Sequence, residues 1–176
     1  MSKNNLETHS GLKYDVCIIG GGPAGYAAAM RAIDFGKSVV LIEKNKLGGA
    51  GIYNGALTSK TMWELSRKVD TINSSLYSAG RRQLEVTWDD VQKTIKDAVF
   101  ERKFQYSSHV KMLDTRLQDR FNYEKGTATM LNNHEVEIKR KDDTETIIWA
   151  ENIVIATGSR PRVIPNIEVD EKIVMT

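Results

Sequence analysis

Cysteine, an excess of one charge and long apolar runs are what this sequence has least of, and each scarcity excludes a class of protein. Its single cysteine, Cys17, permits no intramolecular disulfide and no zinc cluster built from cysteines, and suits a reducing compartment. With Lys+Arg 25 against Asp+Glu 23, the net charge of +2 gives no electrostatic case for nucleic acid or an anionic membrane. No apolar run approaches the roughly 18 residues that a membrane-spanning helix needs. We therefore expect a cytoplasmic protein without a metal site, whose partners are small molecules.

The N-terminus lacks the apolar segment of a secretory signal. Its polar composition predicts a flexible tail over residues 1–13. The whole chain is 40% hydrophobic and 27% charged, which is ordinary globular composition. Residues 14–176 are therefore expected to form one domain.

The strongest pattern runs from Tyr14 to Lys44 and predicts a strand, a tight turn, a helix and a second strand. The apolar run around Cys17 lacks alternation, as is typical of a strand buried on both faces, and Cys17 is interpreted as a small buried hydrophobe. The turn GGGPAG fits the G-x-G-x-x-G pattern, in which Gly20 permits the turn, Gly22 admits a diphosphate and Gly25 allows the helix to pack on the strand. The unit predicts dinucleotide binding at the N-terminus of its helix.

An acid ends the second strand at the spacing expected for a ribose-binding residue. Glu43 follows the buried strand predicted over residues 38–42. A carboxylate there accepts hydrogen bonds from both ribose hydroxyls and repels a 2′-phosphate, which argues against NADP at this site.

Two helical segments follow a glycine-rich loop. The loop LGGAGIYNGALTSK contains Gly48 and Gly49, whose bare backbone can press against a cofactor. Apolar residues then recur at helical spacing from Met62 to Leu76 and again from Trp88 to Phe121, the second stripe as one long helix or two broken near Ser107. Both stripes indicate core or inter-subunit packing.

The C-terminal third changes to a strand pattern. Short runs at 127–130, 135–139 and 145–149 are separated by turn signals and predict an antiparallel meander. Residues 152–156 predict another strand buried on both faces, and Thr157 and Gly158 follow its carboxyl end. The fold class predicted is α/β: a Rossmann-like parallel sheet with an inserted long helical segment and a small antiparallel β-meander.

In their order along the chain, GGGPAG, Glu43-Lys44, LGG, Ser59-Lys60, Gly126-Thr127-Ala128 and IATGSRPR resemble the FAD-binding half of the pyridine nucleotide–disulfide oxidoreductases. That family includes dihydrolipoamide dehydrogenase and the soluble transhydrogenase. The resemblance implies an FAD site in this chain. It also implies that the full-length protein uses NAD(P)H as a second cofactor and is a homodimer. The cofactor-binding residues that it implies are Gly20, Gly22, Pro23, Ala24, Gly25, Glu43, Lys44, Gly48, Gly49, Lys60, Thr127, Ala128, Ala156, Thr157 and Gly158. Lys60 would lie near the reactive nitrogen of the flavin, whereas by its type alone it would be an ordinary surface lysine.

The chain departs from this family at its redox centre. Disulfide-using members carry two cysteines in the glycine-rich loop, and Gly51 and Ala56 stand at those positions here. Electrons would then pass from the flavin directly to another nicotinamide, a quinone, a dye or oxygen. On this hypothesis, cysteines at both positions would restore a thiolate–flavin interaction.

The resemblance also implies that residues 14–176 are the N-terminal portion of a longer FAD-binding domain. The family's catalytic His–Glu pair has no counterpart, and His9, His109 and His134 are interpreted as surface residues. The function predicted is the FAD-binding part of an NAD(P)H-dependent flavoprotein oxidoreductase without a redox disulfide, resembling a transhydrogenase or diaphorase. The alternative is a non-catalytic FAD-binding module or a truncated fragment with no turnover. A plain NAD dehydrogenase is a third possibility, which the predicted meander disfavours.

Overall fold

A computed structural model describes residues 12–53, 55–162, 164–170 and 172. Along the chain its elements are β1 (Lys13–Ile19), α1 (Pro23–Asp34), β2 (Val39–Glu43), α2 (Gly49–Tyr53), α3 (Ala56–Ser78), α4 (Trp88–Arg116), β3 (Phe121–Lys125), β4 (Thr127–Met130), β5 (Glu135–Lys139) and β6 (Glu145–Ile155). These strands form one sheet in the order β3-β2-β1-β6-β5-β4. The pairs β3-β2, β2-β1 and β1-β6 are parallel, and β6-β5 and β5-β4 are antiparallel. The α/β class, the parallel sheet and the meander are confirmed.

The parallel strands are covered on both faces. Val39 and Leu41 of β2 pack with the side chains of α1 and α4, and the alternate residues Val40 and Ile42 pack with the meander. This period-two division follows from the pleat of a strand. All four side chains are at most 1% exposed, as the unbroken apolar run predicts.

Helices α3 and α4 form the inserted helical segment. The second apolar stripe belongs to a single helix of 29 residues, α4. This helix begins with a capping box, in which Thr87 and Asp90 exchange side-chain and backbone hydrogen bonds. No helix among the described residues is long and apolar enough to cross a membrane.

Two strand boundaries differ from the expectation. Lys13 is the first residue of β1, whereas residues 1–11 of the predicted tail lie outside the described residues. Phe121, which continues the apolar spacing of α4, instead begins β3. The helix ends at Arg116, and Phe121 pairs in parallel with Val39 and is fully buried. Burial in the sheet thus outweighs the helical spacing.

The strand before Thr157 is less buried than predicted. It is the second half of β6, which continues unbroken from the meander into the parallel sheet. Val154 is 36% exposed and Ile155 is 65% exposed, so this half is not buried on both faces. An apolar run indicates a strand but does not say what covers it.

One of the histidine predictions needs correction. His109 of α4 is half-buried, and its Nδ1 atom shares a hydrogen bond with the Tyr26 hydroxyl of α1. Tyr26 also packs on Tyr106, with ring centroids 4.3 Å apart. His134 is exposed, as predicted, although it stacks on Trp149. His9 lies outside the described residues.

Cys17 is fully buried in β1, as predicted. Burial raises the pKa of its thiol from 9.0 to about 12. The thiol's contribution to stability is therefore complete below pH 9 and is lost as the pH rises towards 12, because only the unfolded chain releases the proton in this window.

We expect this thiol to make the chain sensitive to alkali. Between pH 9 and pH 12, the unfolding free energy of the unmutated chain should fall relative to that of Cys17→Ala. The expected slope is at most about 1.4 kcal/mol for each pH unit. Urea unfolding of both proteins across this range measures the difference, and the constant cost of the smaller alanine cancels. Parallel pH profiles would contradict the expectation.

Candidate functional site

The glycine turn between β1 and α1 is held by its neighbours on both sides. Gly20 has a φ of +110°, and its N–H donates to the Ile42 carbonyl at 2.8 Å. A Cβ on Gly20 would overlap the carbonyl oxygen of Ala156. Only glycine combines this φ with so close an approach.

The N-terminus of α1 is left without a cap. Gly22 is the N-cap residue and Pro23 follows at the first helical position. Within the described ranges, no side-chain hydrogen bond caps the helix, and its first turn contains no acid. A Cβ on Gly22 would meet no described residue within 4 Å, so this part of the described structure leaves open space beside the backbone. Unpaired N–H groups and the helix dipole make such a terminus favourable for an anion.

Glu43 lies at the edge of this turn and holds it in place. Its Oε2 atom accepts the Gly21 N–H at 2.7 Å, and its Oε1 atom accepts the Asn45 N–H at 2.7 Å. The side chain is 8% exposed. Each carboxylate oxygen has a second lone pair, so these bonds leave acceptor capacity for a ligand hydroxyl.

Two later segments reach the same edge of the sheet. The Gly126 N–H donates to the Glu43 carbonyl at 3.1 Å, which places the start of β4, with Thr127 and Ala128, beside β2. The Ala156 N–H donates to the Ile19 carbonyl at 2.8 Å, and Thr157 and Gly158 follow in the chain. The carboxyl ends of parallel strands are where open α/β sheets bind ligands.

The loop after β2 lies directly on the glycine turn. The Gly48 N–H donates to the Gly21 carbonyl at 2.7 Å, and a Cβ on Gly49 would stand 3.3 Å from Gly22 Cα. Leu47 is 9% exposed and covers Gly21. Lys44, at the start of this loop, is exposed.

Lys60 takes part in none of these hydrogen bonds. It is an exposed residue of α3 that lines an open groove, and no residue of the glycine turn or of the strand ends lines that groove. The groove residues are Leu57, Lys60, Thr61, Glu64, Leu65, Lys68 and Thr94. The hydrogen bonds described above join the predicted nucleotide-binding segments, and none of them involves Lys60.

Three contributors to the site have no signal in the sequence that would identify their contacts. Gly21 and Asn45 donate to Glu43, and Leu47 closes over Gly21.

Burial, and secondly the Glu43 carboxylate, raise the pKa of Tyr123 on β3. Across the described ranges, no group of three or more His, Cys, Asp or Glu residues could hold a metal ion.

Comparison with known proteins gives the same family along most of the chain. The family described as pyridine nucleotide-disulphide oxidoreductase matches residues 14–175. A soluble pyridine nucleotide transhydrogenase of Photorhabdus laumondii is 31% identical over 166 residues, which cover 89% of this chain and 33% of the relative. A dihydrolipoamide dehydrogenase of Chaetomium thermophilum is 34% identical over 164 residues, which cover 92% of this chain and 32% of the relative. The chain thus spans about a third of the length of these curated relatives.

A solved structure supports the fold. The Cu(II) complex of the HOCl-induced flavoprotein disulfide reductase RclA from Escherichia coli is similar with a TM-score of 0.66 at 22% identity. The match covers 87% of this chain and 30% of that chain. At this identity the likeness concerns the architecture alone.

Proposed function

Because the chain belongs to the pyridine nucleotide–disulphide oxidoreductase family, we propose that it is the FAD-binding part of an NAD(P)H-dependent flavoprotein oxidoreductase that works without a redox disulfide. One observation carries the proposal: the N-terminus of α1 is uncapped and open at Gly22, and Glu43 stands beside it. This arrangement fits a diphosphate joined to an adenosine ribose.

Each segment at the sheet edge has a part in the proposed site. The N–H groups at the start of α1 would bind the diphosphate of FAD, and Glu43 would accept hydrogen bonds from the ribose hydroxyls. Thr127 and Ala128 would offer backbone groups to the adenine, and Thr157 and Gly158 would border the cofactor at the end of β6. Gly48 and Gly49 add no side chains of their own where the loop meets the turn through the Gly48 N–H.

Bound FAD would supply reversible two-electron chemistry between a nicotinamide and an acceptor. In this proposal Lys60 is the cation placed near the flavin ring, where a positive charge stabilises the reduced form. It follows the glycine-rich loop on α3, and its exposed ammonium group is accessible. The electron acceptor is a diffusible molecule, because neither Gly51 nor Ala56 carries a thiol.

Flavin binding by the purified chain tests the proposal directly. We expect FAD titration to quench flavin fluorescence to saturation, and ADP to compete with it. Gly22→Ala should bind FAD at least about tenfold more weakly, equivalent to about 1.4 kcal/mol, because its methyl group would stand where the diphosphate must approach. Thermal unfolding of Gly22→Ala should match that of the unmutated chain, since this methyl group contacts none of the described residues. If the unmutated chain does not bind FAD, the proposal is refuted.

A non-catalytic flavin-binding module is the second candidate, and the absence of a thiol at Gly51 and Ala56 is the observation that favours it. The full-length parent distinguishes the two. If the protein is an oxidoreductase, NADH or NADPH should reduce the FAD bound to the full-length protein and abolish its visible absorbance. If it is a non-catalytic module, it should bind FAD that neither nucleotide reduces. We also propose that the full-length protein is cytoplasmic and homodimeric. Trp63 and Phe100 are exposed apolar side chains, which is compatible with a homodimer.

A further inference from the structure

Gly126 joins the two opposite ends of the sheet. Strand β3 lies at one end of the sheet and β4 at the other, yet Gly126 is the single residue between them in the chain. The meander therefore folds back over the parallel strands, and Ile42 of β2 shares a core cluster with Val136 and Ile138 of β5. Residues 125–128 form the corner that connects these two layers.

This corner touches both layers at Gly126. The Gly126 N–H donates to the Glu43 carbonyl of β2 at 3.1 Å. On the other side, a Cβ on Gly126 would stand 2.8 Å from the Lys139 carbonyl oxygen of β5. Thr127 and Ala128, which are proposed to offer backbone groups to the adenine, follow directly and pair with β5. A shift of the corner would therefore move both residues relative to Glu43.

An ion pair spans the corner. Glu124 pairs with Ile42 in the parallel register, so its side chain lies on the face of the sheet that the meander covers. Arg140, directly after β5, donates to one Glu124 oxygen, Oε2, from Nε at 3.1 Å and from Nη2 at 2.8 Å. Its Nη1 atom donates to the Thr146 hydroxyl of β6 at 2.8 Å. The guanidinium group thus links β3 to both strands of the β5–β6 hairpin.

This ion pair is shielded from water more than an ordinary surface pair. The side chain of Arg140 is 29% exposed and that of Glu124 is 27% exposed. In the Arg82–Glu85 pair, by contrast, both side chains are largely exposed. Solvent screens such an exposed pair, and its contribution is small. A partly buried guanidinium with a carboxylate and a hydroxyl as partners is held in one geometry, and it keeps β3 and the hairpin at a fixed separation.

We infer that Arg140 is a positioning residue for the adenosine end of the proposed site. By binding Glu124, it holds the corner that follows β3 in place. Thr127 and Ala128 then stay beside Glu43. The inference rests on the proposed function for the identity of the ligand, whereas the ion pair itself does not depend on a bound cofactor.

Amide hydrogen exchange of the full chain without flavin tests whether Arg140 holds the corner. The Gly126 N–H reports on the corner, and the Gly20 N–H, which donates to β2, reports on the parallel sheet. We expect Arg140→Met to speed exchange at Gly126 by at least about tenfold and at Gly20 by less than about twofold. Arg82→Met, the matched control in the exposed pair, should change neither rate. Equal acceleration at both glycines, or none at Gly126, would overturn the inference.

Two further variants show whether Arg140 acts through Glu124. Arg140→Lys keeps the positive charge without the planar fork, so it should give an intermediate exchange rate at Gly126. In a Glu124→Ala background, Arg140→Met should add less than about twofold, because the partner is already lost. A full effect in that background would overturn the inference. If Arg140→Met does not fold, the Arg140→Lys measurement decides, and a rate equal to that of the unmutated chain would count against the inference.

Ligand affinity distinguishes positioning from a general loss of stability. ADP contains the adenosine and inorganic pyrophosphate does not, and displacement of FAD measures the affinity of each. Arg140→Met should weaken ADP by at least about fivefold and leave pyrophosphate within about twofold. An equal loss for both ligands, or an unchanged ADP affinity, would overturn the inference. If the unmutated chain binds no FAD, the proposed function is refuted, and the exchange comparison still decides whether Arg140 holds the corner.

Discussion

Replacing Gly25 by alanine is expected to lower the free energy of unfolding by about 3 kcal/mol or more, which is a large share of the 5–15 kcal/mol typical of a domain. Gly25 is buried in the first turn of α1, where a Cβ would overlap the Gly20 carbonyl oxygen and stand 3.0 Å from the Gly20 carbonyl carbon. It would also stand 3.3 Å from Ala156 Cβ. Because the nearest obstacle is backbone, α1 must move away from β1 to relieve the overlap.

Urea unfolding followed by circular dichroism measures this loss, and Gly22→Ala is the matched control. The two glycines belong to one motif, but a Cβ on Gly22 would meet none of the residues that the structure describes within 4 Å, and its φ of −74° suits alanine. Gly22→Ala should therefore stay within about 0.5 kcal/mol of the parent. Equal stability of the two variants would mean that α1 does not approach β1 as closely as described.

Replacing Glu43 by glutamine is expected to cost about 2 kcal/mol, even though the two side chains have nearly the same shape. The two carboxylate oxygens accept the N–H groups of Gly21 and Asn45. Glutamine offers one oxygen and one NH₂ group, so one of the two backbone donors would face another donor. The glycine turn and the loop after β2 should both loosen.

The melting temperature of Glu43→Gln should fall by about 4–8 °C. Glu151→Gln, an exposed change of the same chemistry on β6, serves as the control and should leave stability within about 0.5 kcal/mol. If the two variants melt together, the Glu43 carboxylate does not hold the turn. A loss of FAD affinity in Glu43→Gln without a loss of stability would instead indicate a role confined to the ligand.

The parts of the site that could be predicted from sequence are those set by local geometry. Gly20, Gly22 and Gly25 are required by a turn and a helix start within six residues, and the structure gives each a distinct environment. Glu43 could be placed at the sheet edge, because it ends an apolar run. Its bond to Gly21 spans 22 positions and depends on how β1 and β2 pair, which no local pattern records.

The errors in the fold have a similar physical origin. Phe121 continues a helical stripe, but its burial beside Val39 depends on a sheet formed by distant residues. Ile155 belongs to an apolar run, and hydrophobicity alone does not reveal that it is 65% exposed. Lys60 is predicted by the resemblance alone.

Strand β6 has a consequence for how the domain responds to force or local opening. It is one continuous strand whose first half pairs with β5 and whose second half pairs with β1, and Ala156 follows directly beside the glycine turn. The meander and the parallel part of the sheet therefore share one continuous strand. Separation of the meander would pull on the strand that supports the turn, so the outer hairpin and the nucleotide-binding edge should unfold as one cooperative unit.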